Sequence, residues 1–194
     1  MIAGVAQIVL NGADEGALAA RGYAVKFAER GLASHPAKAP LQARARTRLD
    51  LVHLTPREPG LAIEITNYEG PPAGRAAYVW DGAGVTATVS DAAASRAFWA
   101  ELGFRGSERL TFPAPLPSLR LELTLREEPG VAPGVVDADG CVLVTLLSTN
   151  AFADADRFGP AAKWRETIGG RELAIAMIRG PGGEPVELLE LPRT

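Results

Sequence analysis

Two short segments of the chain place a glutamate at the same point of the same pattern. Gly60 to Ile65 reads "GLAIEI" and Gly183 to Leu188 reads "GEPVEL": a glycine at a turn, two residues, a β-branched residue, then glutamate and an aliphatic. Each follows a second alternating run, "LDLVHL" in the first case and "ELAIAMI" in the second, so each is a strand-turn-strand ending. A feature of this kind that recurs once in 194 residues argues for internal duplication. Glu64 and Glu187 are therefore the first candidates for chemistry. A carboxylate on a strand accepts hydrogen bonds and carries a proton when it faces a cavity, and is merely solvated when it faces water.

Parity along the strands decides between those two fates. Gln7, Val9 and Asn11 share one face of an N-terminal strand while Ile8 and Leu10 take the other, and Glu64 lies with Ala62 and Thr66 opposite Ile63 and Ile65. Both polar sets can point into one chamber. Of the two histidines, His53 sits in "LDLVHL", from which it can lean inwards or remain a half-buried strand residue, and His35 lies among prolines. Cys141, the single cysteine, opens an apolar strand and reads as a small core residue. Trp80, in a glycine- and proline-rich stretch, offers a flat surface to a ligand, and Thr86 lies on the mildly polar face of the strand Val85 to Val89.

Other chemistry is excluded. "GPGG" at 180–183 lacks the lysine and following helix of a phosphate-binding loop and reads as a hairpin turn. No G-x-S-x-G elbow occurs, and one cysteine permits neither an intrachain disulfide nor a thiolate cluster. A net charge of −3 without blocks of like charge argues against nucleic acid and anionic membrane as partners. The apolar N-terminus has no positive leader and is interrupted by Asn11 and Asp14, so the expectation is a cytoplasmic protein.

The elements that must carry these residues follow from periodicity. "VSDAAASRAFWAELGF" passes from a strand into a helix capped by Ser90 or Asp91, with Ala94, Ala97, Phe98 and Leu102 as its apolar stripe and Gly103 as its stop. The N-terminus offers the same order more loosely: a strand Ala6 to Asn11, a cap at Asp14, and a helix over Gly16 to Arg30 that Gly22 interrupts. The expected organisation is an N-terminal unit over 1–70, a connector over 71–83, and a C-terminal domain over 84–191. Residues 105–150 are either an insertion or part of a third unit, which divides that domain into 84–128 and 141–191. In the latter case Glu122 closes the middle unit, and the N-terminal unit needs a second chain to complete its sheet, which favours a homodimer.

Units of order βαβββ carrying "VSDAAASRAFWAELGF" and "IRGPGGEPVELLEL" resemble the vicinal oxygen chelate superfamily, which includes glyoxalases, bleomycin resistance proteins and dioxygenases. The resemblance covers about two thirds of the chain and implies an α+β fold: repeated βαβββ modules forming cupped, mixed or antiparallel sheets with helices on the outer face. It also implies a divalent metal, held by the first strand and the closing glutamate of each module. Carried onto this sequence, those positions are Gln7, Glu64, Gly84 and Glu187. Glycine offers no donor and glutamine is a weak one, so two carboxylates remain where relatives supply three or four good ligands.

Two functions stay open on these grounds. One is a metal-assisted lyase, isomerase or dioxygenase, with Gln7, Glu64 and Glu187 holding Mg, Mn, Fe, Zn or Ni, and Glu64 or Glu187 as the catalytic base. The other is a metal-free protein that sequesters an antibiotic or metabolite, with His53, Trp80, Asn11 and Thr86 against the ligand. Both have a small molecule as partner.

Overall fold

The computed structural model describes residues 1–114 and 120–190. Its elements, in chain order, are β1 (Ile2–Asn11), α1 (Glu15–Ala20), β2 (Tyr23–Ala33), a 3-10 helix (Pro36–Leu41), β3 (Arg48–Pro56), β4 (Ala62–Tyr68), β5 (Tyr78–Trp80), β6 (Val85–Val89), α2 (Ala92–Glu101), β7 (Arg109–Thr111), β8 (Glu122–Glu127), β9 (Gly140–Ser148), α3 (Ala151–Ala155), β10 (Ala162–Ile168), β11 (Arg171–Arg179) and β12 (Pro185–Glu190). Ser118 and Leu119, read from sequence as the start of a strand, and Leu191, read as the end of the last unit, lie outside the described residues.

The order β1-α1-β2-β3-β4 folds so that β4 lies parallel to β1, β3 antiparallel to β4, and β2 at the edge. β9-α3-β10-β11-β12 repeats that arrangement strand for strand: β12 parallel to β9, then β11, then β10. The two sets join where β1 runs antiparallel to β9, giving a curled mixed sheet. The architecture is α+β, with few and short helices.

The β1–β9 join corrects one expectation. The edge of the first unit is closed by a strand of the same chain, so its sheet does not call for a second copy.

The alternation of side chains divides the core. Ile8, Leu10, Ile63, Ile65, Val144, Leu146 and Leu188 turn to the helical side, where they meet Phe98, Trp99 and Leu102. Val9, Leu49, Leu51, Leu143, Leu173, Ile175 and Met177 turn to the concave side, with Trp164 and Leu41. β6-α2-β7-β8 forms a shorter strand set of its own and reaches the main sheet through β5, which meets β9 at Tyr78 opposite Cys141.

Asp91 caps α2 by accepting from the Ala94 amide. The turn at Gly182 packs so closely on this helix that a Cβ there would stand 2.3 Å from Ser95 Oγ and 2.5 Å from Val89 Cβ. Close approach of the two lobes explains the glycine-rich turn.

The N-terminal helix is the main local departure from the sequence reading. It stops at Ala20, and the chain turns at Gly22 with φ of +89° into β2, an 11-residue strand. Leu18, Val25 and Phe27 fit a single helical stripe only loosely, because Leu18 belongs to α1 while Val25 and Phe27 belong to an edge strand paired with β3. Among the described residues, no helix is long and apolar enough to cross a membrane.

Candidate functional site

The concave face encloses a cavity of about 230 Å³. Its apolar walls come from Phe27, Leu51, Leu173, Ile175 and Leu189, and its polar lining from Gln7, Lys38, His53, Glu64, Glu166 and Glu187, with Arg171 at the exposed rim. Gln7, Glu64 and Glu187, the three residues named as metal ligands from the sequence, converge here, and His53 joins them.

Register explains the convergence. Gln7 on β1 stands opposite Thr145 on β9, and Thr145 stands beside Glu187 on β12, while Glu64 on β4 faces His53 on β3. Thr145 therefore holds the place that the sequence alignment gave to Gly84. Gly84 lies in the other lobe, against Glu122. Taking 84–187 as one unit gave its opening position to Gly84, whereas the strand that opens the unit closed by Glu187 is β9.

Each carboxylate is held by a neutral donor. Gln7 Nε2 donates to Glu64 Oε2 at 2.8 Å, and Thr145 Oγ1 donates to Glu187 Oε1 at 3.1 Å. Glu166 accepts from the indole Nε1 of Trp164 at 3.0 Å. Burial pushes the Glu187 carboxyl up to about 7, and the charge of Glu64 adds to the effect. Glu64 is raised as well, chiefly by burial, against the opposing pull of the Gln7 hydrogen bond and of Lys38. Burial lowers His53, with the nearby Lys26 charge adding to it, so its imidazole is neutral at pH 7. That ring stacks on Phe27 at 5.3 Å between centroids.

Lys38 was missed by sequence reasoning. It sits on the 3-10 helix between β2 and β3 and is 8% exposed. Its ammonium faces the cavity over the Trp164 ring, 5.4 Å from the centroid. Burial would lower its pKa, but Tyr68, Glu187, Glu166 and Glu64 together outweigh burial and raise it, so Lys38 is cationic. A single lysine between prolines carries no periodic signal. The one available hint was the length of "SHPAKAPLQARARTR", too rich in small residues and prolines to be a strand and too long for a simple hairpin.

The remaining candidates lie elsewhere. Asn11 shares the inward face of β1, but its amide donates to the Ala138 carbonyl at 2.7 Å and accepts from the Tyr68 amide at 3.3 Å, so it ties strands together. Trp80 lies beneath the Arg21 guanidinium in a separate surface cleft with Leu18 and Cys141. Thr86 belongs to β6, opposite Val79 and beside Thr124. Neither residue reaches the cavity, because the middle strand set stands outside the curl. Cys141, also outside it, has its thiol pushed up to about 12 by burial.

The donor set does not fit a tightly held divalent cation. It offers the carboxylates of Glu64, Glu187 and Glu166, each already accepting from a side chain, one carboxamide whose nitrogen is turned to Glu64, one hydroxyl bound to Glu187, and the His53 imidazole stacked on Phe27. Among the described residues, no three His, Cys, Asp or Glu side chains are grouped to hold a metal. A fixed ammonium in the same chamber adds charge repulsion against an incoming cation.

No family model matches the sequence, and no curated protein sequence does. Among solved structures, the chain is similar to glyoxalase I from Zea mays, at 14% identity over 96% of this chain and 67% of that one, with a TM-score of 0.43. It is similar to a putative dioxygenase from Bacillus subtilis at 10% identity, over 100% and 63% of the two chains, with a TM-score of 0.40. A protein from the mobile metagenome of V. Pseudocholerae covers 56% of this chain and 92% of its own, at 16% identity and a TM-score of 0.38.

Proposed function

We propose that the chain is a vicinal oxygen chelate superfamily protein that binds one small organic molecule in its concave cavity without a metal ion. The observation that carries this reading is the pairing of Glu64 with Gln7 and of Glu187 with Thr145, in a chamber whose positive charge is Lys38. A cation site needs carboxylate and imidazole lone pairs turned towards one point, whereas here one oxygen of each acid is taken by a neutral donor and no three such side chains are grouped among the described residues. The walls supplied by Phe27, Leu51, Leu173, Ile175 and Leu189 suit an apolar body, and the polar floor fixes its orientation.

A thermal-shift screen of drug-like compounds, run with and without chelator, tests the proposal. Stabilisation that survives chelator and disappears in Leu173→Trp, which fills the cavity, supports it. Stabilisation that requires an added divalent metal refutes it.

Glu187 favours a second reading. A carboxyl that ionises at about 7 is suited to exchange protons with a bound molecule at neutral pH. Proton transfer to and from a carbon or oxygen of the ligand would then follow binding. Turnover of a bound compound with a rate that rises through pH 7 and vanishes in Glu187→Gln would establish it.

A further inference from the structure

Hydrogen-bond accounting inside the cavity leaves one strong group unmatched. Glu64, Glu187 and Glu166 each accept from a side chain of the protein, at 2.8, 3.1 and 3.0 Å. The Lys38 ammonium, on a residue more than nine-tenths buried, has no hydrogen-bond or ion-pair partner among the described residues; it lies over the face of Trp164, and Tyr68, Glu187, Glu166 and Glu64 act on it only at longer range. An ammonium has three donors, and at the cavity surface none of those of Lys38 meets an acceptor among the described residues. What Lys38 lacks, therefore, is an acceptor within its own reach.

We propose that Lys38 is the docking point for the carboxylate of a small organic acid, whose apolar body lies between Phe27, Leu173 and Ile175. This rests on the cavity being the binding site and adds the chemical class of its ligand. Arg171, at the rim on β11, gives the same sign of charge at the entrance. A neutral ligand would satisfy Lys38 with one carbonyl, but a carboxylate brings two acceptor oxygens and a charge-assisted bond that is shorter and stronger. An organic amine placed at the same point would face Lys38 with a like charge.

The test uses benzoate, benzamide and benzylamine as matched probes for titration calorimetry with the intact chain in the presence of chelator. Benzoate is expected to bind more tightly than benzamide, and benzylamine most weakly. Lys38→Met should lose benzoate roughly ten- to a hundredfold, the loss expected for one charge-assisted hydrogen bond, while leaving benzamide little changed.

Equal affinity for benzoate and benzamide, tighter binding of benzylamine, unchanged benzoate affinity in Lys38→Met, or no binding of benzoate would each overturn the assignment. Should Lys38→Met fail to fold, the ranking of the three probes on the unaltered chain still decides. Binding of benzoate only when a divalent metal is added would overturn the metal-free reading instead, and so separates the two claims.

Discussion

Replacing Glu187 with glutamine should stabilise the chain in a way that depends on pH, and the sign follows from where the carboxyl lies. Glu187 is 7% exposed and sits near Glu64 in a chamber closed by apolar walls, so its folded-state pKa rises from the ordinary 4.5 to about 7. Below pH 4.5 the group is protonated in both folded and unfolded chains and has no effect on the balance. Between 4.5 and 7 the unfolded chain releases the proton while the folded chain retains it, so stability falls as pH rises; above 7 the full cost is present.

At about 1.4 kcal/mol for each tenfold change in the ionisation equilibrium, the raised value corresponds to roughly 3 kcal/mol at pH 8. Glutamine keeps an oxygen for the Thr145 hydroxyl and carries no charge. Glu187→Gln should therefore raise the melting temperature at pH 8 by about 5–10 °C, and by little at pH 4.5. Thermal melts followed by circular dichroism at both pH values measure the difference. A gain of the same size at both, or a variant less stable than the parent at pH 8, would refute the placement of an ionisable Glu187 inside the chamber.

Asn11→Leu should cost about 2–3 kcal/mol in denaturant melts, since it leaves the Ala138 carbonyl and the Tyr68 amide without their buried partner, and should leave ligand affinity unchanged. Asp137→Ala should cost roughly 3–5 kcal/mol by the same measurement, because Asp137 is fully buried and holds Arg46 at 2.9 Å together with the Ala43 amide. Gly182→Ala should destabilise the junction between the turn and α2, where a Cβ meets Ser95 and Val89, and hydrogen exchange should rise first at the amides of α2 and β6.

How much of this was legible in the sequence depends on where a signal is local. The doubled hairpin ending, the capped helix after "VSD" and the inward parity of Gln7 and Glu64 are contained in short windows, and the strands and helix they describe are present at β4, β12, α2 and β1. The partner of Gln7 across the sheet was not legible. Thr145 lies 138 residues away, and its pairing depends on the last strand set, rather than the middle one, closing against β1.

Lys38 was invisible for another reason. It reaches the cavity from a 3-10 helix among prolines, and neither the two-residue nor the 3.6-residue period marks an inward side chain there. Trp80 shows the opposite failure, an aromatic residue in a flexible-looking stretch that suggested a pocket wall and instead stacks with Arg21 on another surface. The helix expected over Gly16 to Arg30 gave way after Ala20, because the two-residue spacing of Val25 and Phe27 suits an edge strand and a helix could use it only partly.

The central claim is that Lys38, and no metal ion, supplies the positive charge of the chamber shared by Glu64 and Glu187. Elemental analysis of protein purified without chelator and then equilibrated with Mg²⁺, Mn²⁺, Zn²⁺ and Ni²⁺ tests it most directly, with Lys38→Met measured alongside. Substoichiometric metal is expected in the parent chain and in Lys38→Met alike, because the Glu64–Gln7 and Glu187–Thr145 pairs remain in both. Stoichiometric metal in the parent, removed by Glu187→Ala while Lys38 is intact, would contradict it.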